Sequence, residues 1–113
     1  MPANRDPESL LDIVQAAQQI QRYTAGMSRT EIESDDKTQA AVLYRILIIG
    51  EATKRISQPF REEHPTIPWK EMAGMRNVVS HAYDRVNLNI VWDVIENKIP
   101  QLLAEIQPLI PPQ

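Results

Sequence analysis

Apolar residues recur along this chain at three- and four-residue steps, the period of helices buried on one side. Leu10, Ile13, Val14, Ala17 and Ile20 follow it, with Tyr23 at the end of the stripe. The preceding Asp6-Pro7-Glu8 suits a helix start: aspartate can cap, proline fits the first turn and glutamate complements the helix dipole. This first helix is expected to stop near Thr24-Ala25-Gly26. Ser28-Arg29-Thr30-Glu31 has the spacing of a capping box and opens a short helical piece around Ile32. Asp35-Asp36 can cap a third segment with two adjoining stripes, Ala40, Leu43, Leu47, Gly50 and Lys54 beside Ile46, Ile49 and Thr53. Ile46 to Gly50 alone could pass for a short buried strand, but its flanks favour helix and the chain offers no partner strand. It is the most apolar segment and the predicted central core helix. Gly50 costs about 1 kcal/mol relative to alanine inside a helix, which points to the close approach of another helix there.

Pro59 and then His64-Pro65-Thr66-Ile67-Pro68-Trp69 read as a loop broken by proline. Pro68 is placed to launch the next helix, which carries Met75-Arg76-Asn77-Val78-Val79-Ser80-His81-Ala82-Tyr83-Asp84. On a wheel at about 100° per residue with Arg76 at the origin, Ser80, Asp84, Asn77 and His81 spread over roughly 40° to 140°, and Tyr83 lies about 20° to the other side. Met72, Met75, Val78, Val79 and Ala82 fill the opposite arc. Asn87 or Asn89 can cap a further helix with Ile90, Trp92, Val94 and Ile95. Pro100 either kinks it or begins a successor through Leu102, Leu103 and Ile106, and the proline-rich end after Pro108 is a stop. The class is all-α, a four-to-five-helix bundle in one domain over residues 1–113, with its core at about 8–107 and flexible proline-containing termini.

Composition narrows the chemistry. There is no cysteine and there are only two histidines, so disulfides and Cys-built zinc sites are excluded and a His-built metal site has little to draw on. No metal and no cofactor is expected. No apolar run reaches the roughly 18 residues of a membrane span, and the first residues lack a signal peptide's order; the expected location is the cytoplasm. A net charge of −3 argues against coating nucleic acid by bulk electrostatics. Residues 1–40 hold four basic and seven acidic residues, whereas 41–100 hold eight and seven. An RNA contact would therefore be a local patch built by folding or dimerisation.

The polar strip from Arg76 to Asp84 combines a guanidinium, which can grip a phosphate bidentately, with an imidazole that exchanges protons near neutral pH. A polar helix face is most often simply solvated, but this one has a rigid entry at Pro68-Trp69. Arg76 and His81 diverge by about 140° on an ideal helix, too far for one copy to hold both on the same atom. A second copy of the helix would complete the site. Glu51, beside Gly50, could reach from the core helix to Arg76, against the reading of an ordinary surface acid. Ser80 lies on the reactive arc but suits a structural hydroxyl. His64 is read as an exposed loop residue, and Trp69 and Trp92 as core anchors. Lys54, Arg55 and Arg61 are solvated basic positions or the edge of an RNA patch.

At these residues the chain resembles the HepT-like toxins, a branch of the HEPN ribonucleases. Arg76-Asn77, three spacers, His81, Ala82 and Tyr83 match that family's motif. Ile49 to Arg55, Ile67-Pro68-Trp69 and Ile90-Val91-Trp92 stand in the family's order. The resemblance implies a HEPN-type homodimer with its motif helices facing each other. It implies a metal-independent RNA endonuclease, the toxin of a type VII-like toxin-antitoxin system. Arg76 would orient the scissile phosphate, His81 would act as general acid or base as the 2′-OH attacks, and Asn77 would support the site, with Glu51 and Ser80 as secondary supporting candidates. The products would carry 2′,3′-cyclic phosphate and 5′-OH ends. The implied antitoxin is an MntA-like nucleotidyltransferase that uses ATP to attach AMP to the motif tyrosine, here Tyr83. Two other readings compete: a non-catalytic binding subunit of a nucleotidyltransferase complex, and a plain helical dimerisation module. Neither needs Arg76, Asn77, His81 and Tyr83 together.

Overall fold

A computed structural model describes residues 5–82 and 87–110, leaving out the side chains of Val78, Ser80, His81 and Ala82. The placements expected for the outermost termini, Tyr83, Asp84 and the Ser80 and His81 side chains thus lie outside the described residues. All regular structure among the described residues is helical. The helices are α1 (Asp6–Thr24), α2 (Arg29–Glu33), α3 (Asp36–Lys54), α4 (Gln58–Glu63), α5 (Trp69–Ala73), α6 (Met75–Ala82), α7 (Leu88–Asp93) and α8 (Ile99–Ile106). A π-helical turn, Val94–Lys98, joins α7 to α8, and a 3₁₀ turn, Gln107–Leu109, follows.

Helix α3 is the centre of the bundle, packing against α1 on one side and against α5 and α6 on another, while α8 closes over α1. The apolar period of α1 is buried as the sequence requires: Leu10, Ile13, Val14, Ala17 and Ile20 all lie in the core. In α3 the buried stripe is Val42, Ile46, Ile49 and Thr53 together with Gly50. Leu43 and Leu47 are only half-buried and Ala40 and Lys54 are exposed, so of the two expected stripes the second is the deeper. Thr53 is accommodated by donating its hydroxyl to the Ile49 carbonyl at 2.7 Å, which removes the cost of burying an unpaired hydroxyl.

The caps explain most boundaries. Ser28 and Glu31 form the reciprocal capping box of α2, Asp35 caps α3 through the Thr38 amide, and Asn87 caps α7. Asp6 does not cap α1. Arg5 occupies the cap position without a side-chain bond, and the buried Asp6 carboxylate accepts instead from the Ser57 amide at 2.8 Å and its hydroxyl at 2.5 Å. The start of α1 is thereby tied to the start of α4.

Three local expectations change. The stretch around Pro59 is not all loop: Ser57 accepts from the Phe60 amide and Pro59 sits in the first turn, so α4 forms. His64 is half-buried rather than exposed, its ring 4.6 Å from that of Phe60, and its carbonyl accepts from the Trp69 indole at 2.9 Å. Trp69 is a core anchor, whereas Trp92 is only half-buried. At Pro100 the chain both widens and continues. Proline lacks an N–H and its ring crowds the carbonyl four residues back, and the π turn immediately before α8 provides the wider spacing at that point.

Candidate nucleic-acid-cleaving site

The motif helix is not continuous with the segment launched at Pro68. Gly74 ends α5 with its amide bonded to the Lys70 carbonyl at 3.0 Å, and its own carbonyl accepts from Asn77 at 2.9 Å, a tighter turn than an α-helix makes. The wheel drawn through residues 72 to 84 is therefore reset at Gly74. Its apolar arc nevertheless survives where side chains are described, since Met72, Met75 and Val79 are all buried.

Gly50 meets the first turn of α6 at contact distance. A Cβ at position 50 would lie 2.9 Å from the Arg76 backbone nitrogen, 3.2 Å from its Cβ and 3.3 Å from the Ala73 carbonyl oxygen. The absent side chain is what lets α3 touch the backbone of the motif helix. The next residue uses that proximity: Glu51 Oε1 lies 3.1 Å from Arg76 Nε, with both side chains about half exposed. The pair is open to water and contributes little to stability. Its effect is positional, because the carboxylate restricts where the guanidinium can swing.

Arg76 and Asn77, both exposed, line an open concavity of about 590 Å³ with Lys54, Lys70, Ala73 and Gly74. Its charged lining is wholly cationic. The structure thus brings Arg76, Asn77 and Glu51 to one surface. His81 follows Arg76 on α6 at the five-residue separation that an ideal helix turns through about 140°. Of the three basic residues expected near the site, only Lys54 lines the concavity. Arg55 pairs with Asp12 at 2.9 Å, and Arg61 donates to the Thr53 carbonyl at 2.7 Å.

Lys70 is the residue that sequence reading missed, and its signal was available. Six residues before Arg76, it falls at about 120° on the wheel drawn from Arg76, inside the polar arc of Asn77 and His81. Among the described residues no group of three His, Asp or Glu is placed to hold a metal ion.

Comparison with known proteins identifies the family. The family model described as "Ribonuclease HepT-like" matches residues 13–109. A Thermococcus cleftensis protein named "Probable ribonuclease HepT" is 39% identical over 100 residues, covering 88% of this chain and 91% of its own length. A Methanocaldococcus jannaschii protein named "Putative RNase MJ0127" is 36% identical over 110 residues, covering 97% of this chain and 91% of its own. No solved structure matches the chain significantly. With the match running from within α1 to beyond α8, and an all-α bundle of HEPN type beneath it, the chain belongs to the ribonuclease HepT-like family.

Proposed function

We propose that this protein is a metal-independent RNA endonuclease, the toxin of a type VII-like toxin-antitoxin pair. The observation that carries the reading is Arg76 at the edge of a cationic concavity, backed by Gly50 and clasped by Glu51, in a ribonuclease HepT-like chain. Arg76 binds the scissile phosphodiester and stabilises the charge that builds on its non-bridging oxygens. The RNA 2′-oxygen attacks the adjacent phosphorus and loses its proton, the bond from phosphorus to the 5′-oxygen breaks, and the departing oxygen gains a proton. His81 performs one of the two proton transfers. Asn77 supports the phosphate by hydrogen bonding, with Ser80 as a secondary supporting candidate. The products are a 2′,3′-cyclic phosphate and a 5′-OH.

A single motif helix turns Arg76 and His81 apart, so the working unit is a homodimer in which two copies of α6 face each other. Control falls on Tyr83, seven residues after Arg76 in the sequence, where an MntA-like nucleotidyltransferase would transfer AMP from ATP to the tyrosine hydroxyl, releasing pyrophosphate, and the added anionic phosphate would compete with RNA for the cationic site.

The test is cleavage of total RNA by the purified protein in EDTA, with analysis of product ends. Wild type is expected to yield cyclic phosphates, and His81→Ala to keep its fold while losing cleavage. A folded His81→Ala protein with unchanged cleavage would remove His81 from the mechanism. A folded wild type that binds a nucleotidyltransferase but never cleaves RNA would make the chain a non-catalytic subunit.

A further inference from the structure

Most cations of the fold are already engaged. Arg29 pairs with Glu33, Arg55 with Asp12, Lys98 with Glu71 and Arg76 with Glu51, while Arg61 is held by a backbone carbonyl and Arg45 by Tyr23. Lys54 and Lys70, like Arg5 and Arg22, are not so engaged. Both are exposed, neither ammonium has a hydrogen-bond or ion-pair partner among the described residues, and both line the concavity beside Arg76 and Asn77. They come from different helices, the end of α3 and the first turns of α5, and the bundle brings them to one wall. Glu51, which adjoins this group, is paired with Arg76.

Two unneutralised ammonium groups beside a guanidinium suit a ligand carrying several phosphates in sequence. Lysine acts there as a mobile point charge that holds a phosphate without reading a base. We propose that Lys54 and Lys70 bind the phosphodiesters flanking the scissile one, so that the concavity is a sequence-independent track for a single RNA strand. The proposal rests on the ribonuclease reading for its substrate class and assigns these residues to positioning rather than chemistry.

The probe is a fluorescent mixed-sequence oligonucleotide bearing 2′-O-methyl groups throughout, which cannot be cleaved by 2′-oxygen attack. Its Kd is measured across a salt series for wild type, for the Lys54→Ala/Lys70→Ala double variant and for Arg55→Ala. Each lost phosphate contact on a single strand lowers the steepness of log K against log salt by about 0.7. The double variant should therefore bind on the order of tenfold more weakly near 0.1 M salt and lose about 1.4 from its slope. Arg55→Ala, whose side chain is committed to Asp12, should match wild type. Lys54→Arg/Lys70→Arg should restore the slope, since charge at the site is what the contact requires.

On cleavable RNA the double variant should raise KM and leave kcat near wild type, a split that a structural defect would not give. An unchanged slope in the double variant overturns the proposal, as does a wild type that fails to bind the probe. If wild type binds with the expected slope difference but never cleaves RNA, the phosphate track stands and the nuclease reading falls.

Discussion

At the scale of single residues, the site depends on one missing side chain and one carboxylate. Gly50→Ala adds a methyl 2.9 Å from the Arg76 backbone nitrogen, where the obstructing atom is main chain and cannot rotate away. The better helix propensity of alanine returns about 1 kcal/mol, but displacing packed helices costs about 1–3 kcal/mol. The variant should unfold at lower urea concentration and lose RNA cleavage more than its remaining stability accounts for. Glu51→Gln separates the two effects. Both partners of the Arg76 pair are half exposed, so stability should move by less than about 1 kcal/mol. Cleavage should fall, because the guanidinium is released from its preferred direction. Equal activity in Glu51→Gln would show that Arg76 needs no clasp.

The sequence made this pair legible, since a glycine inside an apolar helix followed by an acid suggested close approach and reach across it. The concavity was harder to read. Its shape depends on the turn at Gly74, and a wheel drawn through that residue sets Lys70 about 120° from Arg76, on the polar arc but not beside the guanidinium. The local mark of the tightened turn is Gly74, a poor helix former, and the period of apolar residues runs on through it.

At the scale of elements, the helix starts carry the pH sensitivity. The Glu31 carboxyl is held below its ordinary value by the Ser28 amide and then the Ser28 hydroxyl, and the Asp35 carboxyl by the Thr38 amide and then the Thr38 hydroxyl. Folded values below unfolded ones mean that these carboxylates stabilise the fold above the ordinary carboxyl range. That contribution fades as pH falls through the folded values. Urea midpoints should therefore decline as solutions are acidified through and below the ordinary carboxyl range. Asp35→Asn should flatten its share of the decline, and an unaltered profile would count against the cap. Ser57 has a double task, capping α4 and binding Asp6 through both its amide and hydroxyl. Ser57→Ala should cost about 1–2 kcal/mol in chemical denaturation, more than an isolated cap. Caps at Ser28, Asp35 and Asn87 were readable because their bonds are local. The role of Asp6 was not, because its partner lies 51 residues away and no short-range pattern encodes it.

At the scale of the whole molecule, the fold class was readable from period alone, since all the main helices show three- and four-residue spacing and nothing alternates like a strand. The α1–α3 and α3–α6 packing followed less directly, because periodicity identifies the apolar face and not its neighbour. The half-site is the prediction that belongs at this level. Arg76→Ala and His81→Ala proteins, each inactive alone, are to be mixed after mild unfolding and refolded together. If a site takes Arg76 from one copy and His81 from the other, mixed dimers contain one intact site. Equal mixing should then restore roughly a quarter of wild-type cleavage. Mixtures that stay inactive, while size measurements show mixed dimers, would place both residues of each site on the same chain.

The contact at Gly50 also bears on how accurately the motif helix is held. Side-chain packing positions a helix through torsions that can redistribute among rotamers, so its registration drifts when neighbours repack. Here the atom that a Cβ at position 50 would meet first is the Arg76 backbone nitrogen, so the spacing at this point is limited by main-chain atoms whose covalent dimensions do not vary. Substitutions elsewhere in the core can then loosen the bundle and lower its melting temperature while the offset between the α3 backbone and the Arg76 backbone keeps its length. Accuracy of placement at Arg76 is in that sense decoupled from the quality of the packing around it.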